Sequence, residues 1–126
     1  MRKVALVGHC GPDSYMLRSS VKHAIKDSDV AMISDQSSLD RAIAGGVELL
    51  LINRQLDGAF DTYEGVELIR RLTGTHPTVA TMLISNYADS QRDAEAAGAR
   101  PGFGKAEIGS AKMREALAGA LPEATR

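Results

Sequence analysis

Chemically capable side chains stand at four places where short apolar runs end: His9 and Cys10, Asn53, Ser85, and Lys105. A cysteine that follows an apolar run and precedes a helix occupies a nucleophile's position, because helix N-terminal amides favour the thiolate. A thiol phosphatase loop needs cysteine, five residues and then arginine, so that amides and guanidinium wrap one phosphate. In GHCGPDSYMLR the arginine, Arg18, follows Cys10 after seven residues. Cys10 therefore reads first as a small residue filling a strand exit, and a thiol-dependent phosphatase or phosphotransfer enzyme is the less favoured alternative. His9 and Cys10 are adjacent, and neighbours on extended backbone point to opposite faces, so they do not converge on one ion. His23 falls on an expected helix and His76 precedes Pro77. Neither has a spacing that brings it to His9, and no metal site, cofactor or catalytic residue is expected.

The elements that must position these groups follow from the apolar pattern. Val4 to Val7, Val30 to Ile33, Val47 to Ile52 and the segment TVATMLIS are short continuous apolar runs, the pattern of strands buried on both faces. A brief fifth strand is expected around Gly102 to Gly104. Between them lie helical patterns: one capped by Asp13 or Ser14 and carrying Met16, Leu17, Val21, Ala24 and Ile25; one capped by Ser37 with Leu39, Ala42 and Ile43; EGVELIRRL with Val66, Leu68, Ile69 and Leu72 as its stripe; Ala88 to Ala97; and one opened by Ser110 and running through Met113, Leu117 and Leu121. Strands alternating with helices over short connections force a parallel sheet covered on both faces. The expectation is a flavodoxin-like α/β fold, a doubly wound five-stranded parallel sheet, in one domain over residues 1–126. Ligand chemistry in such sheets sits outside the carboxyl ends of the strands.

Composition narrows the function classes. The chain has 126 residues, 15 basic and 16 acidic, with 44% hydrophobic residues. Charges of both signs are scattered, which leaves no electrostatic footprint for direct nucleic-acid binding or an anionic membrane. No apolar run approaches the roughly 20 residues of a membrane span, Cys10 has no partner for a disulfide, and MRKVALVGHC is too weakly apolar for a signal peptide. A cytoplasmic protein is expected.

At its strand exits the chain resembles the receiver domain of two-component response regulators over nearly its whole length. EGVELIRRL resembles the family's third helix, LISNYADSQRDAEAAGA its fourth strand and helix with Ser85 at the hydroxyl position, and AAGARPGFGKA the segment leading to its lysine, Lys105. The family places a phosphoacceptor aspartate at the third strand's tip, an acid pair for magnesium after the first strand, and a switch aromatic on the fifth. Here those positions hold Asn53, Gly8 with His9, and Gly102, and the proline expected after the lysine is Ala106. The loop after Asn53 is about four residues longer than the family's usual connection, and its Asp57 and Asp61 are either solvated turn residues or substitutes that neutralise Lys105. An amide cannot form an acyl phosphate, and neither Gly8 nor an imidazole supplies the oxygen ligands of magnesium.

The resemblance then implies a degenerate receiver, or pseudo-receiver, with a vestigial phosphoacceptor pocket of Gly8, His9, Asn53, Ser85 and Lys105. It implies a phosphorylation-independent protein-interaction module in bacterial signalling. The implied partners are a kinase, an output domain or a second copy of the chain, met through the face of the fourth and fifth helices around Asp93, Arg100, Lys112 and Arg114. Arg100 and Pro101 stand where the family often carries acids that join dimer salt bridges. A small-anion sensor using the vestigial crevice, with Lys105, Ser85, Asn53 and the helix start after Gly11 as its donors, is the alternative.

Overall fold

A computed structural model describes residues 1–121. Five strands, β1 (Arg2–Val7), β2 (Ser28–Ile33), β3 (Leu49–Asn53), β4 (Ala80–Ile84) and β5 (Arg100–Phe103), alternate with five helices. The helices are α1 (Gly11–Ala24), α2 (Gln36–Ala44), α3 (Gly65–Thr75), α4 (Ala88–Ala96) and α5 (Ala111–Ala120), and a short 3₁₀ turn spans Lys105–Glu107. All pairings are parallel, in the order β2-β1-β3-β4-β5, as the alternating pattern requires.

The continuous apolar runs have the cause assigned to them, since successive strand residues enter two different cores. Val4, Leu6, Leu49, Leu51, Met82 and Ile84 pack with Leu17 and Val21 of α1 and Met113 and Leu117 of α5. Their neighbours Ala5, Val7, Leu50, Ile52 and Leu83 pack on the opposite face with Leu39 of α2, Leu68, Ile69 and Leu72 of α3, and Ala94 of α4. Period-2 alternation of Cβ direction thus turns one unbroken run into two apolar faces.

Strand order reverses direction between β1 and β3: the chain leaves β1 for the edge strand β2 and returns past β1 to β3. This reversal opens a crevice at the carboxyl ends of β1 and β3, where Gly8, His9 and Asn53 lie. The loop from Arg54 to Glu64 is folded back on itself by an antiparallel bridge between Gln55 and Glu64 and by Leu56 N–H donating to Tyr63 O at 2.9 Å. Its Leu56 is buried over Gly8.

Several elements start earlier than the sequence expectation, β5 among them, at Arg100 instead of Gly102. Helix α1 begins at Gly11 with Cys10 as its N-cap residue and no side-chain cap, so Asp13 and Ser14 lie inside the first turn. Pro12 explains the early start, because its fixed φ suits the first helical positions. For α2 the cap is Asp35, whose carboxylate accepts from Ser38 N–H at 2.7 Å, while Ser37 is helical and accepts from Arg41. Ser110 caps α5 as expected, accepting from Met113 N–H. Asp35→Ala is expected to lower the melting temperature by a few degrees and Ser37→Ala to leave it unchanged. Parallel thermal denaturation of the two variants checks the assignment.

Candidate functional site

Gly8 turns the chain out of β1 with φ of 73°, a conformation that L side chains rarely adopt. A Cβ at this residue would stand 2.7 Å from Leu56 Cδ2 and 3.0 Å from Leu56 Cα. Both the backbone and the loop above it therefore require glycine. Gly8 O faces the crevice, where it accepts from the Asn53 side chain at 3.0 Å and from Asp57 N–H at 2.9 Å.

Asn53 closes β3 and is buried. Its Nδ2 donates to Gly8 O and, at 2.7 Å, to Gln55 O, so both amide protons are bound to backbone carbonyls and the amide ties the ends of β1 and β3 together. Gly65 at the start of α3 packs so closely that any side chain there would collide with Asn53 O.

His9 points inward. It is 8% exposed, and its Nε2–H donates to Leu51 O at 2.9 Å. That bond leaves Nδ1 as the unprotonated nitrogen, and Nδ1 is buried without a partner among the described residues. Burial pushes the imidazole down to about 4 against the favourable carbonyl bond; the nearby Lys105 charge adds to the fall and Asp13 opposes it.

On the far side of the crevice, Lys105 Nζ pairs with Asp13 Oδ2 at 2.9 Å. Hydrogen bonding to Lys105 is the main cause that holds the Asp13 carboxyl below its ordinary range, and the Cys10 thiol contributes. Asp13, and neither Asp57 nor Asp61, neutralises Lys105. Those two are exposed, and their backbone N–H groups donate to Gly8 O and to Gln36 Oε1. Ser85 is buried, and its Oγ accepts from Tyr87 N–H at 3.1 Å.

Asn53, Ser85 and Lys105 line one cavity of about 370 Å³ with Arg54, Ile84 and Tyr87; Gln55 and Asn86 complete it. Gly8 and His9 stand behind it, one giving its carbonyl to Asn53 and the other buried under β3. Gly102 belongs to a different hollow. A side chain there would collide with Leu83 O, and Gln91 Oε1 lies 2.9 Å from where its Cβ would be. The Gln91 amide of α4 donates between the strands instead, with Nε2 2.9 Å from Leu83 O, 3.1 Å from Ser85 O and 3.3 Å from Phe103 O. This fills the register shift between β4 and β5.

Arg54, Asp13, Tyr87 and Gln91 were not singled out as site residues from the sequence. Arg54 follows the strand-tip amide directly and Tyr87 is two residues past Ser85, so adjacency to the exits was the available signal. Nothing local marks Asp13, whose partner lies 92 residues away.

The donor set at these exits does not fit magnesium. Position 8 has no side chain, the His9 nitrogen with a free lone pair is a softer ligand than the hard ion takes, and the Asp13 carboxylate is paired with Lys105. Among the described residues no three His, Cys, Asp or Glu side chains are grouped to hold a metal ion.

No family model matches the sequence, and no curated protein matches it significantly. Solved structures do match. The signal receiver domain of a DNA-binding response regulator from Colwellia psychrerythraea 34H superimposes with a TM-score of 0.76 at 11% identity, covering 97% of this chain and 99% of that one. The chain has the receiver fold. The non-phosphorylated receiver domain of the stress response regulator RcsB from Escherichia coli has a TM-score of 0.77 at 16% identity, with 98% and 93% coverage. NtrX from Brucella abortus has a TM-score of 0.80 at 17% identity over 99% of this chain, which spans only 28% of the NtrX chain. At these identities the receiver fold is what is shared.

Two predictions follow from the first turn. Gly8→Asp is expected to lose ~2–4 kcal/mol of stability, from a strained backbone and overlap with Leu56, measured by urea denaturation. The second concerns His9, whose folded value of about 4 lies below its ordinary 6.5. The unfolded chain then binds the extra proton first as pH falls. Stability is fully present above pH 6.5 and declines toward pH 4, by about 3 kcal/mol in all. His9→Gln, which cannot titrate, should flatten this window. Asp13 and Asp35, both held below 3.8, lose their contributions only at lower pH.

Proposed function

We propose that this chain is a pseudo-receiver: a phosphorylation-independent protein-interaction module in bacterial signal transduction, acting in the cytoplasm without catalysis of its own. One observation carries the reading. The side chain at the tip of β3 is an amide whose two protons are bound to Gly8 O and Gln55 O, and it cannot form an acyl phosphate. The misfit of the neighbouring residues to magnesium supports it. So does Gln91, which pins α4 to β4 and β5 beside a glycine at the position where the receiver family carries its switch aromatic.

Without a charge added by phosphorylation, no differential interaction moves the domain between two states, and its conformation is set by sequence. Such a module binds a partner kinase, an output domain or a second copy of itself. The exposed Asp93, Arg100, Lys112 and Arg114 on α4, β5 and α5 are the contacts assigned to that encounter. No helix among the described residues is long and apolar enough to cross a membrane.

Incubation with acetyl phosphate and magnesium, followed by intact-mass spectrometry, tests the central point: no adduct of one phosphoryl group is expected. Asn53→Asp should also remain unmodified, because the added carboxylate meets Gly8 O and Gln55 O without the rest of a metal site. It should cost ~1–3 kcal/mol for the hydrogen bonds it removes. A stable phosphoryl adduct on the unaltered chain would refute the proposal.

A further inference from the structure

We propose that the cavity between the tips of β3 and β4 binds a small oxyanion, a phosphate monoester or a hydroxylated carboxylate, with the Arg54 guanidinium as its principal anchor. Two cations line this cavity. Lys105 is neutralised by Asp13 at 2.9 Å. Arg54 is half-buried, and among the described residues its guanidinium has neither an ion pair nor a hydrogen bond. Acids are close at hand, since Glu64, Glu67 and Asp93 line a neighbouring hollow that Arg54 also borders, yet none pairs with it.

What holds the guanidinium is the Tyr87 ring, with Arg54 Cζ 4.7 Å from its centroid. A cation–π contact uses the face of the guanidinium and leaves its edge N–H groups for a bidentate partner. Carboxylate and phosphate oxygens match that fork geometrically. An unpaired, pre-oriented guanidinium at a concave polar surface thus has the geometry of an anion receptor.

The remaining wall groups have the same polarity. Asn86 Oδ1 accepts from Ala106 N–H at 3.1 Å, which leaves the Asn86 NH₂ as a donor. Ser85 Oγ accepts from Tyr87 N–H, which leaves the hydroxyl proton to give. Asn53 has both protons committed to carbonyls and offers Oδ1 alone. A guanidinium edge, an amide NH₂ and a hydroxyl are therefore the donors on this wall, and such a surface selects anionic oxygen. At about 370 Å³ the cavity is in the range of small-molecule sites. Ile84 is its one aliphatic lining residue, so the rest of the ligand is polar.

This site does not rest on the pseudo-receiver reading, and the phosphorylation assay reads a covalent mass increase where the test below reads reversible binding, so either can fail alone. The test is an ¹⁵N NMR titration of the full chain with inorganic phosphate and, separately, acetate, at ionic strength held constant with chloride. Saturable shifts at the Arg54, Ser85 and Asn86 amides are expected for at least one probe, with half-saturation at about 1–10 mM. Saturation by phosphate alone assigns a phosphoryl ligand, and by acetate alone a carboxylate. Arg54→Gln should weaken the binding at least tenfold, and Arg92→Gln, on the outer side of α4, should not change it. Arg54→Lys, which keeps the charge without the fork, should weaken it several-fold and serves if the glutamine variant does not fold. No saturable shift with either probe, or undiminished binding in the Arg54 variants, overturns the proposal.

Discussion

The amide of Asn53 is the bond on which the carboxyl end of the sheet depends. Strands β1 and β3 are neighbours whose following segments diverge, one into α1 and the other into the folded loop. Asn53 Nδ2 reaches the outgoing chain of both, at Gly8 O and Gln55 O. An amide is suited to this because it brings two protons to two carbonyls. A carboxylate at that atom would face both carbonyl dipoles with a lone pair. Gly8 supplies its carbonyl only because its positive φ turns the chain there, and that turn is covered by Leu56 from the same loop that Asn53 anchors. Amide, glycine and loop form one mutually dependent unit.

Two further polar links join elements that the apolar cores do not hold at this end. Lys105 to Asp13 connects the segment after β5 to α1, and Gln91 connects α4 to β4 and β5. Both are bonds inside the chain. Lysine, strand-tip side chain and helix α4 all have internal partners, which agrees with the proposal of a domain held in one state.

The fold was largely legible because it follows from periodicity. Unbroken apolar runs of strand length, alternating with helical stripes, leave few topologies, and Leu50 and Leu51 enter opposite cores as that pattern requires. Helix starts were less legible, because several capping residues stood within a few positions of each other: Asp35 won over Ser37, and Pro12 drew α1 back to Cys10. At the site, Asn53, Ser85 and Lys105 were readable as strand exits, and they do share one cavity. Their partners were not readable. The pairing of Asp13 with Lys105, the reach of Gln91 and the stacking of Arg54 on Tyr87 depend on which side chains face each other across the assembled sheet. Local sequence carries no signal for that.

The electrostatic sign of the crevice follows from these partners. Asp13 and Lys105 cancel, His9 is neutral because burial outweighs the bond to Leu51 O, which favours the charged imidazole, and Asn53 carries no charge. Arg54 is left over, so the charge lining the cavity is positive. A site that holds a divalent cation needs the opposite balance, several anionic oxygens around the ion, and a partly buried guanidinium repels such an ion. Gly8 and Asn53 offer such an ion no anionic oxygen. Together with the unpaired Arg54 they leave a strand-tip crevice suited to an anion, held by hydrogen bonds and without a covalent step.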